Sequence, residues 1–181
     1  MKRLSISVAA LASLLVGGAP AIGQGATSAL KGHNTNAPVT VASDRIEVQD
    51  RADRAIFSGN VVATQASMTL SAARVTVAYA DTGGIQIQRI DASGGVTVRS
   101  PSETARGQYA IYDLNTRLIT LLGGVTLTRG ESRVQGGRLV LDLDSGRAVM
   151  DGGGRTAGAP AGTQTTGGRV TGTFTVPQRR N

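Results

Sequence analysis

The sequence contains no cysteine and no tryptophan, and its single histidine is His33. The absence of cysteine excludes a disulfide scaffold, a thiol nucleophile and a lipid anchor attached through cysteine. One histidine is too few for most zinc sites. We expect His33 to be a solvated linker residue, which leaves no Ser-His-Asp arrangement. We therefore expect no catalytic residues, no metal and no cofactor, and we predict that the protein is not an enzyme.

Aromatic residues make up only 3% of the chain, so valine, leucine, isoleucine and alanine must fill most of its interior. From Val39 to Met150 the apolar residues alternate with a period of two, and no stretch keeps the spacing of a helix. Aspartate-led turn sequences separate the alternating segments at 50–53, 81–84, 113–116 and 144–146. Aspartate is favoured at turns for backbone reasons, which accounts for these residues better than paired catalytic carboxylates do. The pattern predicts an all-β protein.

A two-strand unit of about 30 residues recurs four times along this region. In each unit, an alternating strand is followed by a turn and by a second strand that begins with arginine. The paired strands are 39–50 with 54–61, 68–77 with 89–96, 104–111 with 117–125, and 134–141 with 147–150. A unit of this size cannot bury its apolar face alone, so the repeats must stack into one continuous structure of at least eight strands.

Each unit also contains a point where the alternation changes phase. The parity of Val39 and Val41 differs from that of Ile46 and Val48, so the strand must bulge or bend between them. The same five-residue offset separates Leu70 from Val75, Thr104 from Tyr109, and Val134 from Leu139. A bend at the same point of every unit would keep all of these side chains on the inner face.

Three short elements, Gly59-Asn60, Gly94-Gly95 and Gly123-Gly124, each lie between apolar residues four positions apart. They are compatible with two-residue hairpin turns, or with kinks that curve the sheet within longer strands. The alternation between Phe57 and Val61 continues unbroken through Gly59, which favours kinks.

The formal net charge of +7 comes from the ends of the chain rather than from the repeats. Residues 39–151 contain twelve arginines and all twelve acidic residues. The excess basic residues are Lys2, Arg3, Lys31, Arg155, Arg169, Arg179 and Arg180. Basic tails on a balanced body do not form the basic stripe with interleaved aromatic residues that is typical of nucleic-acid binders. We expect no nucleic-acid partner.

The N-terminus has the three-part pattern of a signal peptide: Lys2 and Arg3, an apolar run from Leu4 to Val16, and small residues around Ala19. An uncleaved membrane anchor, the alternative, needs about 20 apolar residues, and this run is shorter. We expect the mature protein in the bacterial periplasm. The predicted organisation is a signal peptide at 1–25, a linker at 26–38, a β domain at 39–151, and a flexible Gly/Thr/Arg-rich tail at 152–181 with a possible short strand at 169–176.

Three segments of the β region resemble a known family. They are PVTVASDRIEV at 38–48, AIFSGNVVATQ at 55–65 and MTLSAARV at 68–75. Together they are similar to the OstA-like domain family of the lipopolysaccharide-transport protein LptA. The element from Phe57 to Val61, followed by Thr64 and Gln65, is the most specific part of the resemblance. The similarity covers about residues 38–151, and the signal peptide and chain length agree with it.

The resemblance implies an open, twisted β-jellyroll that accepts the acyl chains of lipid A, the lipid part of lipopolysaccharide. It also implies a bridge formed end to end with related domains of an inner-membrane protein, LptC, and an outer-membrane protein, LptD. We expect head-to-tail homo-oligomers of the chain itself. The family's N-terminal lipid-facing and partner-facing strand corresponds to Val39 and Val41. From parity alone, we assign the other lipid-binding positions to Ile46, Val48, Phe57, Val61, Leu70, Val75, Tyr109, Ile111, Leu121, Val125, Leu139 and Leu141.

Three functions are compatible with these observations. The first is a periplasmic lipopolysaccharide carrier that bridges the two membranes. The second is an LptC-like subunit of the same pathway, which would retain residues 4–22 as a membrane anchor. The third is a β-repeat adhesin or structural protein, which predicts a tightly filled core and no bound lipid.

Overall fold

The computed structural model describes residues 33–81, 83–152 and 168–174, which form one antiparallel sheet of ten strands with a short 3₁₀ turn at Asp50–Ala52. The strands are β1 Val39–Ala42, β2 Arg45–Gln49, β3 Arg54–Gln65, β4 Met68–Asp81, β5 Ile85–Arg99, β6 Glu103–Asp113, β7 Leu118–Arg129, β8 Ser132–Asp142, β9 Arg147–Asp151 and β10 Thr171–Thr173. The predicted all-β class is confirmed. Across these residues there is no helix with the length and apolar character needed to traverse a bilayer. The predicted signal peptide and most of the predicted linker and tail lie outside the described residues.

The six long strands, β3 to β8, form a meander in which each strand pairs with its neighbour in sequence. At one edge, β1 and β2 both pair with β3, so they form a single edge strand interrupted at residues 43–44. At the other edge, β9 and β10 both pair with β8, and β10 lies within the segment 169–176 where a strand was predicted. Within the described residues each edge strand has a neighbour on one side only, so the sheet does not close.

The long strands bend near their middle, where the cross-strand register shifts. These shifts fall between Ser58 and Val61 in β3, between Ser93 and Val96 in β5, and between Leu122 and Val125 in β7. The positions are those of the three glycine-containing elements, and both residues of each element have a positive φ, between 46° and 83°. The interpretation of these elements as kinks is confirmed, and the hairpin alternative is wrong.

The line of bends folds the sheet into two layers. The first layer contains residues 39–42, 61–65, 68–72, 96–99, 103–107, 125–129, 132–136 and 171–173. The second layer contains residues 45–49, 54–58, 74–81, 85–93, 109–113, 118–122, 138–142 and 147–151. The strands of each layer end in turns along its free margin. We call the margin with turns at 66–67, 100–102 and 130–131 the first rim, and the margin with turns at 50–53, 83–84, 114–117 and 143–146 the second rim.

An aliphatic core lies between the two layers, which together form an open, twisted β-jellyroll as predicted. Val61 and Val125 of the first layer and Leu121 and Leu139 of the second are almost fully buried in one cluster. Burial of each such side chain contributes about 1.5–3 kcal/mol. The layers are therefore held together mainly by aliphatic contacts.

Substitutions at Gly94 and Gly95 distinguish two ways of destabilising a bend, which are backbone strain and overpacking. Both have positive φ, 83° and 81°. A Cβ on Gly94 would lie 2.7 Å from the Cβ of Ala73, whereas a Cβ on Gly95 would meet nothing within 4 Å. We expect Gly95→Ala to lower the free energy of unfolding by about 1–2 kcal/mol, the cost of a left-handed non-glycine residue. Gly94→Ala should lower it by about 1–3 kcal/mol more, because the added methyl overpacks the bend.

Urea unfolding followed by circular dichroism measures both losses. If the two variants lose the same stability, the close approach of β5 to Ala73 does not exist in solution.

Candidate functional site

The candidate site is the interior between the layers, whose walls are apolar from one edge strand to the other. Residues directly opposite each other in neighbouring strands project to the same face, so the register defines continuous rows of inward side chains. In the second layer one row contains Ile46, Phe57, Val75, Ala92, Ala110, Leu121, Leu139 and Met150. The next contains Val48, Ala55, Val77, Ile90, Tyr112, Ile119, Leu141 and Ala148. In the first layer the row contains Val41, Ala63, Leu70, Val98, Ala105, Leu127, Val134 and Gly172. No position in the three rows is charged.

Most of the positions predicted from parity lie on this inner face. Val61, Leu70, Val75, Leu121, Val125, Leu139 and Leu141 are buried. Val39, Val41 and Phe57 are partly buried and pack against the same cluster. The structure thus brings these ten side chains together in one interior, while their contact with lipid stays a prediction.

Ile46 and Val48 also belong to the inner rows, but they are exposed to 56% and 57%. They lie on the edge strand β2, which has β3 as its only neighbour in the described part of the chain. At the opposite edge, Val170 and Phe174 flank β10 and are exposed as well. The apolar interior is therefore uncovered at both edge strands.

The assignment of Thr104, Tyr109 and Ile111 to the inner face is wrong, and Thr104 lies opposite Arg99 and Thr128 on the outer face. Ile111 lies opposite Asp91 and Thr120 on the outer face, and Tyr109 is 57% exposed. The inward residues of β6 are Glu103, Ala105, Gly107, Ala110 and Tyr112. The larger side chains of this segment predict the wrong inner face, because β6 places small alanines inward. Ala110 lies directly opposite the fully buried Leu121.

A polar bridge between the layers escaped the sequence analysis. The buried Tyr112 of the second layer donates its hydroxyl hydrogen to Gln65 Oε1 of the first layer at 3.0 Å. The Gln65 amide donates to the carbonyl oxygens of Thr35 and Ala37 at 2.9 and 3.0 Å, and His33 Nε2 lies 3.2 Å from Gln65 Oε1. His33 is therefore part of this network rather than a solvated residue. Gln65 and Tyr112 are 47 positions apart, so no local pattern could have paired them.

Near the first rim, a buried carboxylate faces the interior. Glu103 is 5% exposed and accepts hydrogen bonds from Arg129, whose Nη2 lies 2.9 Å from Glu103 Oε2. A small gap between the layers is lined there by Ser100, Glu103, Leu127 and Leu141, among others. The two layers thus meet at their rims through contacts that include buried polar groups.

Among the residues that the structure describes, the two layers pack closely around one cavity of about 20 Å³, with Leu70, Val98, Ile90 and Ile119 among its lining residues. That volume accommodates about one water molecule and no acyl chain. Occupation by a larger apolar ligand requires the layers to move apart at the rims, with loss of contacts such as the one between Tyr112 and Gln65.

Asp113 and Asp142, the last residues of β6 and β8, accept hydrogen bonds from the backbone of the turns that follow. Asp113 accepts a hydrogen bond from the Thr116 N–H at 2.9 Å, and Asp142 accepts from the N–H groups of Asp144 and Ser145. These bonds, with that from Ser145 the largest contribution for Asp142, hold the pKa of both carboxyls below its usual range. No group of three or more His, Cys, Asp or Glu side chains is placed to hold a metal ion within 33–81, 83–152 and 168–174.

Replacing Tyr112 with phenylalanine tests the bridge between the layers. Burial raises the pKa of Tyr112, so the folded state favours the neutral phenol. The associated stability is complete below the ordinary tyrosine pKa of about 10 and is lost as pH rises through the raised value. We expect Tyr112→Phe to cost about 1 kcal/mol at neutral pH and to make the loss of stability above about pH 10 shallower. Tyr79, whose pKa is also raised, would supply the remaining alkaline dependence.

Denaturant titrations between neutral and alkaline pH measure this, with the exposed Tyr109→Phe as the matched control. An unchanged alkaline slope in Tyr112→Phe would show that the hydroxyl is not held between the layers.

Comparison with known proteins shows that the sequence matches a protein family. Residues 40–147 match the family described as LptA/(LptD N-terminal domain) LPS transport protein. An uncharacterised protein of Rhizobium meliloti (strain 1021) is 34% identical over 156 residues, which cover 81% of this chain and 83% of the relative.

A solved structure shares the fold. LptH of Pseudomonas aeruginosa is described as the LptA-homologous periplasmic component of the lipopolysaccharide-transport device. It superimposes with a TM-score of 0.65 at 18% sequence identity, covering 80% of this chain and 99% of LptH. At that identity, the similarity concerns the β-jellyroll itself.

Proposed function

Because this chain belongs to the LptA/LptD N-terminal domain family of lipopolysaccharide-transport proteins, we propose that it shields the acyl chains of lipopolysaccharide between its two layers. The observation that carries the proposal is the set of three uncharged rows of inward side chains that run from edge strand to edge strand. An acyl chain requires an apolar wall, because any polar group in the wall would lose its hydration when the chain binds. The exposed inner-face residues Ile46 and Val48 would form one entrance.

The transfer free energy of an acyl chain favours its entry between the layers. Each methylene moved out of water contributes about 0.8 kcal/mol, so about ten methylenes contribute about 8 kcal/mol. This offsets the loss of contacts between the rims, including the hydrogen bond of Tyr112. Loading is therefore coupled to separation of the layers.

A β-repeat structural protein would also have a closed, filled interior, so packing alone does not choose between the two functions. The family match supports transport. The direct experiment is mass spectrometry of lipid that co-purifies with the mature protein from a bacterium that makes lipopolysaccharide. Lipopolysaccharide at a fixed ratio to protein is the expected result. A protein free of lipid after gentle purification would favour the structural alternative.

The proposed location is the periplasm, on the strength of the signal-peptide pattern at residues 1–25. N-terminal sequencing of the periplasmic protein is expected to begin between Ala19 and Thr27. A chain that keeps Met1 and sediments with membranes would instead identify an LptC-like subunit.

The edge strands support an end-to-end assembly with further copies and with LptC-like and LptD-like domains. Unpaired N–H and C=O groups at a sheet edge pair readily with another strand. Exposed apolar side chains accompany both edges, Ile46 and Val48 at one and Val170 and Phe174 at the other. Joining opposite edges would bury both sets and continue the inner rows from one molecule into the next.

The chain directions of the two edge strands determine how they would pair at the contact between two molecules. The edge strand formed by β1 and β2 runs from the first rim to the second, whereas β9 followed by β10 runs from the second rim to the first. If layer meets like layer, the two edges pair antiparallel and the bends stay aligned. The contact is head-to-tail, so it generates an open filament rather than a closed dimer.

Single-cysteine variants can test this contact between molecules, because the natural chain contains no cysteine. We expect Glu47→Cys in β2 and Val149→Cys in β9 to form mixed dimers with a short thiol cross-linker. The yield should rise with protein concentration. Glu47→Cys mixed with Thr171→Cys, which lies in the other layer, is the matched control and should react poorly. Efficient cross-linking of Glu47→Cys with itself would contradict a head-to-tail contact.

A further inference from the structure

The outer surface of the first layer is basic. Within the described strands of this layer, the one carboxylate is that of Glu103, which faces the interior. Across β5 to β8, the cross-strand pairs place two rows of outward side chains next to each other. The row nearer the first rim contains Arg99, Thr104, Thr128 and Arg133. The next row contains Thr97, Arg106, Thr126 and Gln135. We call these eight residues the basic face.

The three arginines of the basic face are available to a ligand. Arg99, Arg106 and Arg133 are exposed, and none of them forms an ion pair within the described residues. Strands lie about 4.8 Å apart, so Arg99 and Arg133 are about 14 Å apart across three strand spacings. Arg106 lies between them in the second row. Threonine hydroxyls fill the positions between the guanidinium groups.

The second layer differs along its rim, where carboxylates and arginines are mixed. The carboxylates in these turns or at the strand ends beside them are Asp50, Asp53, Asp81, Asp113, Asp142 and Asp144. Three of its arginines are held in ion pairs, for example Arg117 with Asp144 at 2.9 Å. On the first rim, the turn residue Glu131 is the one carboxylate besides the buried Glu103. An anion that emerges between the rims therefore meets arginines without ion pairs on the first layer, whereas the arginines of the second layer and its rim are mixed with carboxylates.

From this asymmetry we infer that the basic face binds the phosphate-bearing saccharide head group of the lipopolysaccharide whose acyl chains lie between the layers. The inference rests on the proposed function. Guanidinium groups bind phosphate through paired, charge-assisted hydrogen bonds, and the threonine hydroxyls suit sugar hydroxyls. Arg99 ends β5 and Arg133 is the second residue of β8, so both lie at the first rim where the head group would emerge. The head group then passes over the first rim and fixes the orientation of the lipid.

The test compares two sets of three charge-neutralising substitutions. Arg99→Gln, Arg106→Gln and Arg133→Gln remove the basic face. Arg51→Gln, Arg74→Gln and Arg147→Gln remove the same charge from exposed positions of the second layer and its rim. The probes are purified lipid A with both phosphates and the same lipid A after enzymatic removal of the phosphates. Affinity is measured by fluorescence titration, and occupation of the interior by photo-capture from a reactive residue at Ile46.

We expect loss of the basic face to weaken binding of phosphorylated lipid A by about tenfold or more. Binding of the dephosphorylated lipid and capture at Ile46 should not change. The control set should bind both lipids like the wild type. Equal affinity of wild type and basic-face variant for phosphorylated lipid A, with capture intact, would overturn the inference and leave the proposed function standing. Equal weakening by both sets would also overturn it, because only overall charge would then matter. Absence of capture in the wild type would overturn the proposed function itself, and this inference with it.

Discussion

Leu121→Asp is expected to remove nearly all of the stability of the domain and, with it, lipid capture. Leu121 is fully buried within an inner row, between Ala110 and Leu139. Truncation of a buried leucine alone costs about 2–5 kcal/mol, and an unpaired carboxylate at the same place adds a desolvation cost. A domain of this size has a total stability of about 5–15 kcal/mol. Circular dichroism and urea unfolding should show a largely unfolded protein at room temperature.

Leu122→Asp is the matched control, because it changes the same residue type one position along β7. Leu122 lies opposite Tyr109 and Arg138 on the outer face and is only half-buried. Its carboxylate would be hydrated and close to the Arg138 guanidinium, so the expected loss is about 1 kcal/mol or less. A well-folded Leu121→Asp protein that still binds lipid would show that the inner rows do not form the core described above.

Val48→Asp is expected to stop lipid transfer without unfolding the domain. Val48 lies on the inner face of β2 but is 57% exposed, so the substitution leaves no large cavity. A carboxylate at the uncovered entrance would have to be desolvated by each passing acyl chain, which costs several kcal/mol. Transfer of lipopolysaccharide from an LptC-like donor domain should fall by about tenfold or more, since 1.4 kcal/mol already gives a factor of ten.

The neighbouring substitution Gln49→Asp provides the control for Val48→Asp. Gln49 follows Val48 in the same strand and lies on the opposite face, where its side-chain oxygen accepts a hydrogen bond from Arg54 at 2.6 Å. An aspartate can still accept this bond, but it loses the exposed hydrogen bond that the Gln49 amide donates to Glu47 Oε1 at 2.6 Å. Stability should therefore fall by about 1 kcal/mol or less, and transfer should stay close to that of the wild type. Equal transfer by the two variants would place the entrance elsewhere.

The repeat architecture could be predicted from sequence because its signals are local. The period of two, the aspartate turns and the phase changes each involve neighbouring residues, and the glycine elements at 59–60, 94–95 and 123–124 mark the bends directly. The two-layered arrangement then follows, since a bend in every strand must fold the whole sheet. Prediction of the inner face succeeded wherever valine, leucine or isoleucine alternates with polar residues.

Other parts of the site could not be derived in this way. In β6, alanines face inward and Tyr109 and Ile111 face outward, so side-chain size pointed to the wrong phase. The exposure of Ile46 depends on β2 being an edge strand, which is a property of the whole sheet. The hydrogen bond between Tyr112 and Gln65 joins residues of two different repeat units that are 47 positions apart. No local sequence pattern therefore indicates it.

The central claim is that the interior, and not the outer surface, receives acyl chains. Site-specific photo-crosslinking in cells that make lipopolysaccharide tests it most directly, with reactive residues at Val41 and Ile46 on the inner face and at Glu47 and Thr76 on the outer face. We predict lipopolysaccharide adducts from Val41 and Ile46 and none above background from Glu47 and Thr76. Adducts of equal yield from both faces, or from neither, would contradict the claim.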